Sequence, residues 1–506
     1  MASPFLQPPV PSISMAPLLL FSLLLLLLFS NPTTCSESHI SAIVSSKGID
    51  FVKDLLVNEA VKTMTPLELP DIQKTTKIPL VGYVTMVASD LTLYELNVTS
   101  SSANLGDSGV EIVASGVTAD MSMDWSYSYT VGWIKISDKG NASVRVEGME
   151  VGLTMIMKSN NGSLELTVSD LSCYIDKCII SLNGGASWLY QGFVNAFKNH
   201  IRSAVEKAII QRVTDGSSKL NTLLQKVPKS ISLDHISSLN LTLVSNPIYS
   251  DTSIEFDING LFNSSSRKEE ANNKWRNYNL NKRVHLSSDC KSKMVVASID
   301  ELVFNSALQV YFQAGYMNLL VKRLPVQSIL NTASWQYIVP QLYVMYPNDP
   351  MALNISISSP PAVTVIEEKL SGTLYADVIV DVMDGNNTVP VACIQVEVAA
   401  SGNLTMSGDS ITGAVGLDDF ALTLKWSNVG NLYMPLAEGI FRVLLNDVLM
   451  PLANILLEVG IPLPAVHGFS LQDPYIYTSN SALFFCSDIA FSNSTSILLH
   501  TLRNVL

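Results

Sequence analysis

The segment Met121–Asn141 reads MSMDWSYSYTVGWIKISDKGN. Trp125, Tyr127 and Tyr129 recur with a period of two, so on a strand they share one face. Trp133, Lys135 and Lys139 follow. An aromatic row with lysines beside it suits a membrane interface or a glycolipid headgroup. The same spacing also suits a cross-strand aromatic cluster that covers a sheet, and Asp124 and Asp138 dilute the positive charge. A second basic feature runs from Asn263 to Lys293. It carries Arg267, Lys268, Lys274, Arg276, Lys282, Arg283, Lys291 and Lys293 against Glu269, Glu270 and Asp289. Such bases can meet lipid phosphates. A run without apolar periodicity is equally the signature of a solvated connector.

Covalent chemistry has no such signature. The chain contains no Gly-x-Ser-x-Gly elbow, no His-Glu-x-x-His, no Walker A motif and no Rossmann glycine pattern after a strand. The 6 histidines (His39, His200, His235, His285, His467 and His500) are scattered without metal-ligand spacing. Asp418 and Asp419 are adjacent, so on a strand they point to opposite faces and form no acid–base pair. We therefore expect no enzyme, no catalytic residue, no metal and no cofactor. A formal net charge of −13 excludes a general nucleic-acid binder.

The elements that must position these residues alternate between two periods. Ser41 to Thr63 has a helical apolar face that includes Val44, Phe51 and Leu55. Lys77 to Cys178 alternates apolar and polar residues between turn signals, which predicts an antiparallel meander. Trp188 to Val213 returns to helical spacing, with Phe193, Phe197 and Ile201 on its apolar face. Strand-like sequence occupies Ser232 to Gly260. The order then repeats. It runs through a helix at Phe304–Leu320, alternating segments from Met351 to Trp426, a long helix at Met434–Val459 interrupted at Pro451, and a last strand near Leu483–Ile489. A chain of 506 residues accommodates two such α+β units of about 200 residues each. An amphipathic helix on a curved sheet either closes a dry core or leaves a groove for acyl chains. Val44, Phe51, Leu55, Phe193, Phe197 and Ile201 are the candidate lining of such a groove. Periodicity alone does not choose between the two.

Leu18–Phe29 reads LLLFSLLLLLLF, short for a membrane span and right for the apolar core of a secretory leader, with cleavage expected near Cys35. No Lys or Arg precedes it. No other apolar run looks long enough to span, and Asn493–Leu506 lacks the pattern of a lipid-anchor signal. Glycosylation sequons fall at Asn97, Asn141, Asn161, Asn240, Asn263, Asn354, Asn386, Asn403 and Asn493. These features predict a secreted glycoprotein. The 6 cysteines are too few for a disulfide scaffold. Cys173 with Cys178, and Cys393 with Cys486, are candidate disulfides, with buried free thiols the alternative for each pair.

Several dispersed pieces carry a resemblance. They are Ser46-Lys47-Gly48-Ile49-Asp50-Phe51, Val146-Glu147-Gly148-Met149, Val303-Phe304-Asn305-Ser306-Ala307, Ser358-Ser359-Pro360-Pro361-Ala362-Val363, Leu424-Lys425-Trp426-Ser427 and Gly460-Ile461-Pro462-Leu463-Pro464. In order and spacing, from Ser38 to Phe491, the chain resembles the bactericidal/permeability-increasing and lipopolysaccharide-binding protein family, most closely its plant members. The resemblance implies an α+β fold of two tandem tubular lipid-binding domains, each a long helix on a twisted antiparallel sheet. A central sheet would join them in a boomerang. With it, the expected divisions are 1–35 leader, 36–250 first domain, 251–293 basic linker and central-sheet region, 294–492 second domain and 493–506 tail.

The resemblance also implies bound phospholipid with its acyl chains in apolar pockets, and binding of the lipid A of Gram-negative lipopolysaccharide in antibacterial defence. Lys135, Lys139 and the linker bases are the expected phosphate contacts, at a membrane surface touched peripherally. Alternatives are transfer of phospholipid or neutral lipid without lipopolysaccharide selectivity, and a structural or receptor-partner role. Two departures stand out. Mammalian relatives bridge a first-domain Cys to one on the long helix, and Trp188–Val213 has no Cys. Relatives with strong endotoxin affinity carry a basic tip, whereas here Lys135 and Lys139 stand among aromatics.

Overall fold

A computed structural model describes residues 37–491 except 79–81, 108, 184–186, 266–287, 324–326, 386, 409, 463–468 and 480. The expected leader, the tail, the linker bases from Arg267 to Arg283, and Asn386 and Asn493 lie outside the described residues.

In chain order, strand β1 (Ile40–Ser45) leads into helix α1 (Ser46–Thr63). Strands β2 (Ile72–Ile78), β3 (Gly82–Asn97), β4 (Ser100–Gly106), β5 (Gly109–Val131), β6 (Ile134–Asn160) and β7 (Ser163–Leu182) follow, then helix α2 (Ser187–Gln225). Next come β8 (Ser253–Ile258), β9 (Val295–Asp300) and α3 (Glu301–Gln313). The second meander is β10 (Met351–Ile357), β11 (Lys369–Asp384), β12 (Asn387–Ser407) and β13 (Ser410–Ser427). Helix α4 (Met434–Leu444), a π-helical turn (Leu445–Leu449) and α5 (Met450–Val459) precede β14 (Phe469–Ser479) and β15 (Ala482–Phe491).

Three large antiparallel sheets carry this order, beside a small three-stranded one formed by Ser230–Ser232, Ser237–Asn240 and Phe262–Ser264. In the first, β3, β5, β6 and β7 are successive neighbours. Their alternation buries Val84, Met86 and Ala88 on β3 and Val144 and Val146 on β6 against α2. Register shifts bend these long strands. At Gly148, φ is +63° and an added Cβ would stand 3.0 Å from Asp176 Cβ, so glycine suits the bulge. The second sheet repeats the plan with β10 to β13, and α4 packs on its buried face. The central sheet orders Ile248–Tyr249, β8, β1, β9, β15 and β14, so strands from both halves pair directly.

Several expectations change. Ile40–Ser45 is a strand: Ile40, Ala42 and Val44 are buried with a period of two, and β1 pairs with β8 on one side and β9 on the other. Tertiary pairing therefore removes the first turns of the expected helix. Helix α1 begins after Ser45, whose hydroxyl accepts the Gly48 N–H at 3.3 Å. Helix α2 continues beyond the expected end at Val213, through the weak helix formers Asp215-Gly216-Ser217-Ser218. Leu220 and Leu224 beyond them extend the apolar row into a second core cluster, and that burial outweighs the weak propensity. The expected helix Phe304–Leu320 runs from Glu301 to Gln313, capped by Asp300, and is followed by a strand at Asn318–Val321.

The basic run is not all solvated connector. Cys290 is buried, and Lys293 bonds Asp488 at 3.4 Å beside the central sheet. The helix at Met434–Val459 is also long and apolar enough to cross a membrane, contrary to expectation. It is placed here by packing, with Ala437, Phe441 and Leu444 in the second core.

Candidate functional site

The aromatic row is built into the first core. Trp125 is 3% exposed and Tyr127 8%, while Tyr129 is half-buried against the same cluster. Trp125 stacks on Tyr127 at 6.1 Å and Tyr127 on Tyr129 at 6.2 Å; Trp125 also meets Phe193 edge-on at 6.1 Å. The indole N–H donates to the Asn141 carbonyl at 3.0 Å. Gly140 makes the seat, since a Cβ there would come within 2.8 Å of the Trp125 ring. Register explains why no headgroup can use the Trp125–Tyr127–Tyr129 row and the lysines together. Tyr129 opposes Ile136 and Trp125 opposes Gly140, whereas Lys135 opposes Thr130 and Lys139 opposes Ser126. The lysines therefore lie on the other face from the aromatics. For Trp125, Tyr127 and Tyr129 the expected headgroup contact is corrected to an internal aromatic cluster, while Trp133, Lys135 and Lys139 are exposed.

What remains exposed at this hairpin is its tip. Trp133 is 96% exposed, flanked by exposed Val131, Ile134 and Ile136. Tyr83 is also exposed, with the Lys77 ammonium 6.0 Å from its ring centroid.

The candidate lining residues divide. Phe193, Phe197 and Ile201 fill the first core, the two phenylalanines stacked at 4.3 Å. Val44 is buried in the central sheet. Phe51 is half-buried and meets Phe469 at 6.3 Å, and Leu55 is half-buried on α1. None of them lines the open apolar cavity found among the described residues of the first unit.

That cavity lies between the last turns of α1, the C-terminal part of α2 and the inner face of the sheet. It holds about 1000 Å³ of empty space, its open mouth included. Helix α1 presents Leu56, Val57, Ala60 and Val61, with Met64 at its C-cap; α2 presents Ile209, Val213, Gly216 and Leu220. The sheet supplies Leu96, Val98, Ile112, Ala114, Met149, Val151 and Leu153, among others. Small residues at Ala60, Ala114 and Gly216 leave the room. The α1 lining is one step round the helix from Phe51 and Leu55, a row at 56, 60 and 64 that i, i+4 spacing could have revealed.

Helix α1 is held over this space by a buried charge. Lys53 is buried, and its Nζ lies 3.2 Å from both the Asp50 and Asp54 carboxylates while donating to the Ser101 carbonyl at 3.2 Å. Burial opposes its charge, but the two carboxylates outweigh burial and raise its pKa. These contacts tie α1 to β4.

The cysteines pair otherwise than expected. Cys290 and Cys486 form a disulfide. Cys173, Cys178 and Cys393 are free. Cys173 and Cys178 are five residues apart on one extended strand, about 16 Å, beyond disulfide reach. Cys393 belongs to the second sheet and Cys486 to the central one. Burial pushes the Cys173 thiol up to about 12 and raises Cys178 and Cys393 as well, so all three are held as thiols. Among the described residues no group of three or more His, Cys, Asp or Glu is arranged to hold a metal. Of the sequons, Asn97, Asn141, Asn161, Asn263, Asn354 and Asn403 are exposed and Asn240 is half-buried.

An apolar cavity under a helix pair in the first of two helix-on-sheet units, joined to the second by a shared central sheet, is the plan of a tubular lipid-binding fold. Models of the LBP / BPI / CETP family match the chain twice, the N-terminal domain over residues 48–226 and the C-terminal domain over 231–491. The chain belongs to this family. It is 46% identical over 467 residues to a BPI/LBP family protein of Arabidopsis thaliana, covering 92% of this chain and 94% of the relative. It is 24% identical to the bactericidal permeability-increasing protein of Sebastes schlegelii, covering 89% of this chain and 94% of that one. A crystal structure of lipopolysaccharide binding protein superposes with a TM-score of 0.61 at 20% identity, covering 90% of this chain and all of that one, which shows the shared fold.

Proposed function

We propose that the protein is a secreted lipid-binding protein that takes acyl chains into the α1–α2 cavity and binds lipopolysaccharide in antibacterial defence. The observation that carries the reading is the open apolar cavity. Each buried CH₂ contributes about 0.8 kcal/mol, so a fatty chain gains roughly 10 kcal/mol gross on entry. The relatives named for lipopolysaccharide binding and for bactericidal permeability increase support lipid A as the ligand. The leader and the exposed sequons support passage through the secretory route. In this reading Trp133 and its apolar neighbours enter the membrane interface while Lys135 and Lys139 face phosphate.

One observation favours a second reading, lipid transfer without lipopolysaccharide selectivity. The exposed hairpin tip is more apolar than basic, which suits docking on neutral membranes. Native mass spectrometry of the secreted, deglycosylated protein separates the two. Co-purified phospholipid that lipopolysaccharide displaces, less so at high salt, supports the first reading. Phospholipid that lipopolysaccharide cannot displace selects the second, and protein without any bound lipid overturns both.

A further inference from the structure

Among the residues lining the cavity, one is charged: Arg212 on α2. It is exposed as well as lining, so it stands where the cavity meets solvent. Among the described residues no carboxylate lies within ion-pair distance of its guanidinium. Asp215, one turn on, accepts instead from the Gln211 amide at 2.8 Å. Arg202, earlier on the same helix, is committed to the sheet and donates to the Asp176 carbonyl at 2.9 Å. The other polar groups at the lining are occupied too. The Thr63 hydroxyl donates to the Glu59 and Ala60 carbonyls, and Ser217 to the Val213 carbonyl. Arg212 is thus an uncompensated cation at the edge of an otherwise apolar chamber, in a protein of net charge −13.

Building on the lipid reading of this cavity, we infer that Arg212 is the headgroup anchor: it pairs with the phosphate of an acyl lipid whose chains lie inside. The chemistry follows from the two ends. Methylene chains are stabilised by Leu56, Val57, Val61 and Val213. A planar guanidinium offers paired N–H donors that match phosphate oxygens. The lipid therefore enters with its chains towards the sheet and its headgroup held between α1 and α2. Lipids with anionic oxygens are preferred to uncharged lipids of equal chain length. A phospholipid and the phosphorylated lipid A share this chemistry.

The test uses the full secreted protein, delipidated, in fluorescence displacement assays. The probes are dioleoyl phosphatidic acid, dioleoylglycerol, lipid A and inorganic phosphate. Wild type is expected to bind phosphatidic acid at least roughly tenfold tighter than dioleoylglycerol, the worth of one charge-assisted pair. Arg212→Gln should remove that preference and leave dioleoylglycerol binding unchanged, while Arg212→Lys keeps most of it. Lipid A losing affinity in Arg212→Gln alongside phosphatidic acid extends the anchor to both sources; loss for phosphatidic acid alone restricts it to phospholipid. Undiminished phosphatidic acid binding in Arg212→Gln overturns the anchor while lipid binding stands. Displacement of the lipid by inorganic phosphate alone overturns it as well. Ala60→Trp, which fills the chamber, should abolish binding of both dioleoyl lipids, and Ala114→Phe serves if that variant fails to fold. If both lipids still bind a filled chamber, the cavity reading itself fails.

Discussion

The two halves of the molecule share a plan and differ in how the long helix uses it. In the first half, α2 runs unbroken for 39 residues and buries Phe193, Phe197, Ile201, Val205 and Ile209 in succession. In the second, a π-helical turn separates α4 from α5. Pro451 accounts for the break, because it has no N–H for the carbonyl four residues back and its ring crowds that carbonyl. Before the turn, α4 buries Ala437, Phe441 and Leu444; after it, α5 buries none and exposes Leu452, Ile455, Leu456 and Val459. The second core also takes in the segment around Trp335, which is 1% exposed and donates its indole N–H to the Ile329 carbonyl at 2.9 Å. Two helix-on-sheet units with similar periodicity thus use their apolar surface differently. One keeps an open chamber under a continuous helix, and the other leaves the apolar face of α5 uncovered.

The sharpest way to break this comparison is to fill the chamber. Ala60→Trp should reduce co-purified lipid by about a hundredfold or more, since burial of the chains supplies the free energy of binding. Ile455→Ser on α5 should leave bound lipid unchanged. Lipid analysis of the two variants side by side checks this, and the reverse pattern would move the lipid site to the second half. Trp335→Ala probes the second core. It should cost about 3–5 kcal/mol in denaturant unfolding through the cavity it creates, with lipid content unaltered. A loss below about 1 kcal/mol would show that the core there relaxes around the deletion.

Smaller effects sharpen the picture at the edges. Trp133→Ser should change stability by less than about 0.5 kcal/mol because the side chain has no packing to lose. Its binding to phospholipid vesicles should nevertheless fall several-fold; vesicle flotation equal to wild type would remove the hairpin tip as a membrane contact. The last concerns the strands shared by both halves. Burial alone would raise the Asp488 carboxyl, but Lys47 at 2.8 Å and Lys293 at 3.4 Å outweigh it and hold its pKa below the ordinary carboxylate value. A depressed folded-state pKa contributes stability above the unfolded value, near 3.9, that is lost as pH falls through the folded one. Asp488→Asn should therefore be less stable than wild type at neutral pH, and the difference should shrink below about pH 4. Unfolding curves from pH 7 to pH 2.5 read this directly, and a gap that stays constant would assign the loss to packing.

Much of the architecture is legible in the sequence. Alternation of period two announces the meander from Lys77 to Cys178, and the spacing of Phe193, Phe197 and Ile201 announces α2, because burial of one face imposes those periods directly on the chain. The duplicated order of elements and the likeness to the family were also readable. What the chain could not reveal by itself depends on partners distant in sequence. Val44 belongs to a strand only because β8 and β9 lie on either side of it. Cys486 pairs with Cys290 across 196 residues, while Cys173 and Cys178, near in sequence, are kept apart by an extended backbone. The aromatic row shows the same limit. Its period placed Trp125, Tyr127 and Tyr129 on one face, but only the register with β6 decided that this face is inside and the lysines outside. The chamber is the extreme case, for empty space has no residue of its own. It exists where Ala60, Ala114 and Gly216, far apart in the chain, meet under two helices, and Arg212 acquires its place at the rim only once they do.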